Sequence, residues 1–151
     1  DAAARRQSAW LGAELALAAG QPQQALDLVE RHPAPQLRPA VLLHAQAQLA
    51  LQRPALASER LQTWVTTHPQ DAQAWQWLAQ AWQAQNQPLR ALRAQAEAQV
   101  AIRDFSAAQD RLKAAQDLAR RGSNQDHIEA SIIDTRLRAV TELLREEARK
   151  Q

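Results

Sequence analysis

Four histidines, His32, His44, His68 and His127, are the side chains best suited to hold a metal ion or move a proton. None stands in a His-x-x-x-His pair, the spacing that puts two imidazoles on one face of a helix. His127-Ile-Glu129 lacks a second histidine, so the four are expected to be surface or loop residues and the chain to hold no metal. General acid–base chemistry needs two carboxylates converging in a pocket. Here Asp and Glu are interleaved with Arg, a pattern expected of solvated ion pairs on charged helix faces. There is no Cys, which excludes thiol catalysis and a disulfide scaffold. A Gly-rich phosphate loop and a Gly-x-Ser-x-Gly elbow are also missing. Neither catalysis nor a cofactor is expected of this chain.

Uncharged amides make the one binding constellation. Gln73, Gln76, Gln80 and Gln83 fall at i, i+3, i+7 and i+10, which places them on one face of a helix. A primary amide both donates to and accepts from a peptide backbone without adding charge, which suits an extended or sequence-tolerant protein ligand. A Gln-rich chain also produces such a row as a plain solvated face, and the spacing leaves both readings open. Leu42, Gln46 and Leu49 take the corresponding places one segment earlier, and Trp10, Glu14 and Leu17 the places before those. These would make a partly apolar groove for a peptide or partner helix, or else pack against neighbouring helices.

The elements that carry these residues are marked by their punctuation. A first helix over 3–19 stops at Gly20, a left-handed cap. Pro22 opens a second, which ends near Arg31 before Pro33 and Pro35. The third covers 39–51. Pro54 opens the fourth, which ends before His68-Pro69. Asp71 is the expected N-cap of a fifth over 72–85, and Pro88 opens a sixth reaching Ile102. Asp104 starts a seventh that ends at Gly122. Ser123 and Asp126 resemble a capping box ahead of a long final helix to about Arg149. That helix carries Ile128, Ile132, Leu137, Val140 and Leu144 as an apolar stripe, with charged residues on its other faces, as a closing helix should.

The helices recur. Ala45 and Ala79, Ala57 and Ala91, and Val41 and Trp75 are each 34 residues apart, while Ala13 and Ala45, like Ala25 and Ala57, are 32 apart. A 34-residue period in an Ala-, Leu- and Gln-rich chain resembles tetratricopeptide (TPR) repeats. The resemblance implies an all-α fold, a right-handed superhelix of antiparallel helix pairs, with protein or peptide binding as its function. In the clearest repeat Trp75, Leu78, Ala79 and Trp82 share a face. Ala79 and Ala91 are expected at the tight contact of one hairpin, and Trp77 is expected to pack off that seam near Trp64. The segment from Pro88 also reads as a first helix, with Ala96, Phe105, Ala108, Leu112 and Ala115 in the usual TPR places.

Composition bounds the rest. The 151 residues suit one domain of about three repeats plus closing helices over 104–149. Net charge is +2 with the basic residues dispersed, which argues against a nucleic-acid surface. The apolar runs are too short to span a bilayer. The chain has no Met and is expected to be a fragment of a larger protein; no signal peptide is read in it.

A narrower resemblance runs from Val41 to Val140. Trp75-Gln-Trp-Leu-Ala-Gln-Ala81, Arg93-Ala-Gln-Ala-Glu97, Asp104-Phe105-Ser-Ala-Ala108 and Ile133-Asp134-Thr-Arg136-Leu137 resemble the C-terminal TPR domain of bacterial periplasmic zinc metallopeptidases of the beta-barrel assembly-enhancing (BepA-like) type. That resemblance implies a periplasmic location and a role in outer-membrane protein quality control. It implies binding to barrel-assembly components or substrates, and docking on the parent's own protease domain. The His-Glu-x-x-His motif of that protease domain is missing here, so any zinc belongs to the parent's other domain. The alternative is an independent TPR scaffold or assembly protein with no protease attached.

Overall fold

The computed structural model describes residues 1–122 and 126–151. Its secondary structure is helical throughout, with no strand among the described residues. The helices are α1 (Ala2–Ala18), α2 (Pro22–Arg31), α3 (Arg38–Ala50), α4 (Pro54–Thr67), α5 (Ala72–Ala84), α6 (Pro88–Ala101), α7 (Phe105–Arg121) and α8 (His127–Arg149). Each boundary falls within about one residue of the punctuation, because Pro, Asp and the left-handed turn act on the backbone directly. Asp1, Asp71, Asp104 and Asp126 cap α1, α5, α7 and α8, each accepting from a backbone N–H of the first turn. The cap of α8 is therefore Asp126 itself, bonded to the Glu129 N–H at 3.0 Å. The expected partner in a capping box, Ser123, lies outside the described residues.

One turn is used four times. After α1, α3, α5 and α6 the chain passes through a left-handed residue, Gly20, Gln52, Asn86 or Arg103, with φ of 73°, 63°, 57° and 64°. The next residue then donates back to a carbonyl five positions earlier: Gln21 to Ala16 (2.8 Å), Arg53 to Gln48 (2.8 Å), Gln87 to Trp82 (3.0 Å) and Asp104 to Gln99 (2.9 Å). This is the Schellman closure, which satisfies carbonyls left open at a helix end. Pro22, Pro54 and Pro88 follow at once as the first residue of the next helix, where a missing N–H costs nothing. Gln52 and Asn86 are 34 residues apart, so the sequence period is also a period of backbone conformation. A Cβ at Gly20 would meet nothing within 4 Å, so Gly20→Ala is expected to cost about 1 kcal/mol through backbone strain alone. Gln52→Gly, relieving the same strain, is expected to stabilise by about 0.5–1 kcal/mol, read from denaturant midpoints of the two variants.

The chain divides into two compact units, Asp1–Trp64 and Val65–Gln151. In the first, α1, α2 and α3 pack mutually around Ala13, Ala16, Ala25, Leu26, Val29, Ala40, Leu43 and Ala47. The abundance of alanine lets the helices approach closely. Gly12 serves the same end, since a Cβ there would sit 3.3 Å from Leu28 Cδ1. In the second unit α5 packs on α6, α6 on α7, α7 on α8, and α6 also on α8. Its core joins Ala96, Phe105, Ala108, Leu112 and Ala115 to Ile133 and Val140 of the last helix. Ala79 and Ala91 are both buried, on the packed pair α5 and α6.

The apolar stripe of α8 is rotated from the one expected. Ile133, Leu137, Val140 and Leu144 pack on the core, whereas Ile128 is 77% and Ile132 37% exposed. Glu129 is in phase with the buried residues, one turn before Ile133, and its ion pair sets which side of the helix faces inward. Among the described residues no helix is long and apolar enough to cross a membrane.

Candidate functional site

The rotation of α5 decides what it presents. Asp71 Oδ1 accepts from the Ala74 N–H at 3.1 Å and starts the helix. The Trp75 indole then donates to the Pro69 carbonyl at 2.9 Å, tying the first turn to the preceding loop. Ala74, Trp75, Leu78, Ala79, Ala81 and Trp82 face inward. Gln73, Gln76, Gln80 and Gln83 are all exposed, within about 80° of helix circumference and over roughly 15 Å of its length. Each amide offers donors and an acceptor, and no ionic group interrupts the row. Trp77, off the Trp75 seam, is half-buried.

The three companions of this row lie on α3, in the other unit. Leu42 is 5% exposed, so it offers a partner no apolar contact, contrary to its expected place in a groove. Gln46 and Leu49 are half-buried. Of the residues at the corresponding places on α1, Glu14 is exposed, while Trp10 and Leu17 pack partly on the core. Spacing alone could not separate Leu42 from Gln46, because burial depends on what lies against the helix.

Two side chains of α3 depart from the repeat. Where the next repeat has Leu78 and Trp82, α3 has His44 and Gln48. Gln48 is buried, and its amide nitrogen donates to His44 Nε2 at 3.3 Å. Among the described residues His44 Nδ1 and Gln48 Oε1 have no partner. Burial, and then the Arg60 charge, hold the His44 pKa down at about 4. The unfolded chain takes up this proton near pH 6.5 and the folded chain only near 4, so protonation favours unfolding. Stability from this group is complete above about pH 6.5 and falls as the pH drops toward 4. Urea midpoints between pH 4 and 7 are expected to show that slope in the parent, and a flatter one in His44→Leu.

The carboxylates gave a second correction. Glu97 and Glu129 are not on solvated faces; they are 8% and 3% exposed. Arg93 Nε on α6 pairs with Glu129 Oε1 on α8, with Arg93 Nη2 3.5 Å from the other oxygen. One turn further along α6 the polarity reverses, and Arg136 Nη2 of α8 donates to Glu97 Oε2 at 3.0 Å. Arg90 adds longer contacts to Asp126 (3.7 Å) and Glu129 (3.9 Å), and its guanidinium lies 5.0 Å over the Trp82 ring. Gln116 and Gln109 of α7 donate to Asp134 and Thr141 of α8 at 2.8 and 3.1 Å. The α8 links are structural and spend the charges in pairing. The sequence signal was a Glu in phase with an apolar stripe, which implies a buried cation opposite it.

A surface cavity of about 510 Å³ lies by the α5–α6 turn, bounded by Gln87, Pro88 and Arg90 on one side and Leu118, Ala119 and Asp126 on the other. Among the described residues no three His, Asp or Glu side chains gather as a metal site would require. Neither the protein-family models nor the curated proteins include a match to this chain.

Proposed function

We propose that this chain is a non-catalytic, protein-binding TPR domain whose helix pairs wind into a right-handed superhelix. The TPR reading is supported by the left-handed turn and proline that recur with the 34-residue period. The observation that carries the binding function is the exposed row Gln73, Gln76, Gln80 and Gln83 on α5. Four uncharged amides over three turns match the repeating donors and acceptors of an extended main chain. Trp75 and Trp82 lock the opposite side of the helix, so the row is held in place before a ligand arrives.

The resemblance to BepA-like metallopeptidases supplies the setting. In this reading the chain is the C-terminal, binding end of a periplasmic zinc metallopeptidase in outer-membrane protein quality control. Its partners are barrel-assembly components and the parent's own protease domain, and the zinc is that domain's. Sequencing the gene upstream tests this. A His-Glu-x-x-His motif is the expected finding, and a gene without it makes the chain an independent TPR scaffold.

Binding is tested by titrating purified barrel-assembly components with the parent and with Gln76→Ala/Gln80→Ala. Two lost amide hydrogen bonds are expected to weaken binding by about 1–2 kcal/mol, roughly 5- to 30-fold. The row is uncharged, so affinity should change little with salt. Both residues lie off the buried seam, so circular dichroism should be unchanged. A double variant that binds as well as the parent would reduce the row to a solvated face.

A further inference from the structure

The outer side of α1 carries a second apolar seam. Ala4, Ser8, Leu11, Leu15 and Ala18 follow a 4-3-4-3 spacing, which keeps them on one stripe of the helix. All five are exposed, Leu11 at 59% and Leu15 at 65%. Ala9, Ala13 and Ala16, on the other side, are buried. A helix with apolar residues all round is one built to be covered all round. A helix that closes a stack instead turns a polar face to water, as α8 does with Asp134, Arg138, Arg145 and Glu146.

The chain itself shows what chemistry covers such a seam. Gly20 and Gln52 occupy the same left-handed turn 32 residues apart, so Ser8, Leu11 and Leu15 of α1 correspond to Ala40, Leu43 and Ala47 of α3. Those three are 0%, 3% and 0% exposed, and they share one cluster with Ala25, Leu26 and Val29 of α2, which packs on α3. The surface that α2 closes on α3 is therefore the surface left open on α1. We propose that the Leu11–Leu15 face of α1 docks an amphipathic α-helix of a partner protein whose seam has the chemistry of α2. That seam is a small residue, a leucine next to it, and a valine or similar aliphatic one turn on. Glu14, at the border of the stripe, is the one ionic side chain close to it, so association is driven by apolar burial and rejects a helix with charges in the seam. This face is on a different helix from the glutamine row and does not depend on it.

The test uses a hydrocarbon-stapled peptide copying residues 21–32, fluorescently labelled and titrated by anisotropy into the full 151-residue chain. Saturable one-to-one binding is expected. Leu11→Lys/Leu15→Lys should weaken it at least about tenfold, as should Leu26→Glu in the peptide. Both leucines are exposed, so the unfolding midpoint of the double variant should match the parent. Ser8→Arg, a milder change in the same stripe, should show the same loss. Equal affinity for parent and variants overturns the proposal, because the peptide would then sit elsewhere, including in place of the chain's own α2. No binding to the parent at millimolar peptide also overturns it. Concentration-dependent self-association of the parent, abolished by the double variant in sedimentation, assigns the face to a second copy and overturns the partner helix.

Discussion

Replacing Glu129 by alanine is expected to destabilise the second unit by about 2–4 kcal/mol. Glu129 is buried and receives Arg93, with Arg90 nearby. Removing the carboxylate leaves two guanidinium groups facing apolar atoms. Breaking a buried pair from one side costs on the order of 3–5 kcal/mol. The lower part of that range applies because the Arg93 and Arg90 side chains keep 20% and 36% of their exposure and partly reach water. The link being broken joins α6 to α8 across 36 residues of chain, so the loss should appear as early release of α8. Replacing Arg93 and Glu129 together by leucine should recover most of the stability, since an apolar pair of similar volume avoids the desolvation of two charges. Urea unfolding of the parent, both single variants and the double gives the coupling energy. A coupling near zero would mean that apolar packing of Ile133 and Val140 alone seats α8.

Ala79→Leu is expected to cost about 1–3 kcal/mol by overpacking. Ala79 is 4% exposed, between Leu78 and Trp82 on the inward side of α5, and Ala91 on α6 is buried too. Three added carbons have no space there unless α5 and α6 separate. Separation would strain the Asn86 turn and the Gln87 bond to the Trp82 carbonyl that closes the hairpin. The same substitution at Ala84, exposed at the end of α5, should change stability by less than about 0.5 kcal/mol. A denaturant midpoint that moves equally in both variants would show that the α5–α6 contact is loose at Ala79. If the tight contact holds, Ala79→Leu should also disturb the glutamine row, which is aimed by the same helix.

The helices and the row on α5 were legible in the residues, while other parts of the molecule were not. Pro22, Pro54 and Pro88 start helices, and Asp71 and Asp104 cap them, because each acts on backbone groups within a turn or two. Gln73, Gln76, Gln80 and Gln83 were legible as one exposed face because Trp75, Leu78 and Trp82 claim the other side. Gln52 and Arg103 gave no sign of a left-handed conformation, which in non-glycine residues is held by the surrounding hairpin rather than by intrinsic preference. Leu42 looked like a groove residue and is buried; Ile128 and Ile132 looked buried and are exposed.

What the sequence by itself determined is therefore local: where each helix begins and ends, and the repeat that relates one turn to the next. Those follow from hydrogen bonds and torsions spanning about five residues or fewer. The tertiary structure alone decided which of two apolar stripes on α1 and α8 is covered, and which carboxylates leave water. Glu129 and Glu97 owe their burial to Arg93 and Arg136, 36 and 39 residues away, and Leu43 owes its burial to α2 while its counterpart Leu11 stays open. Burial is a property of the neighbour that arrives, and no spacing within one helix contains that neighbour.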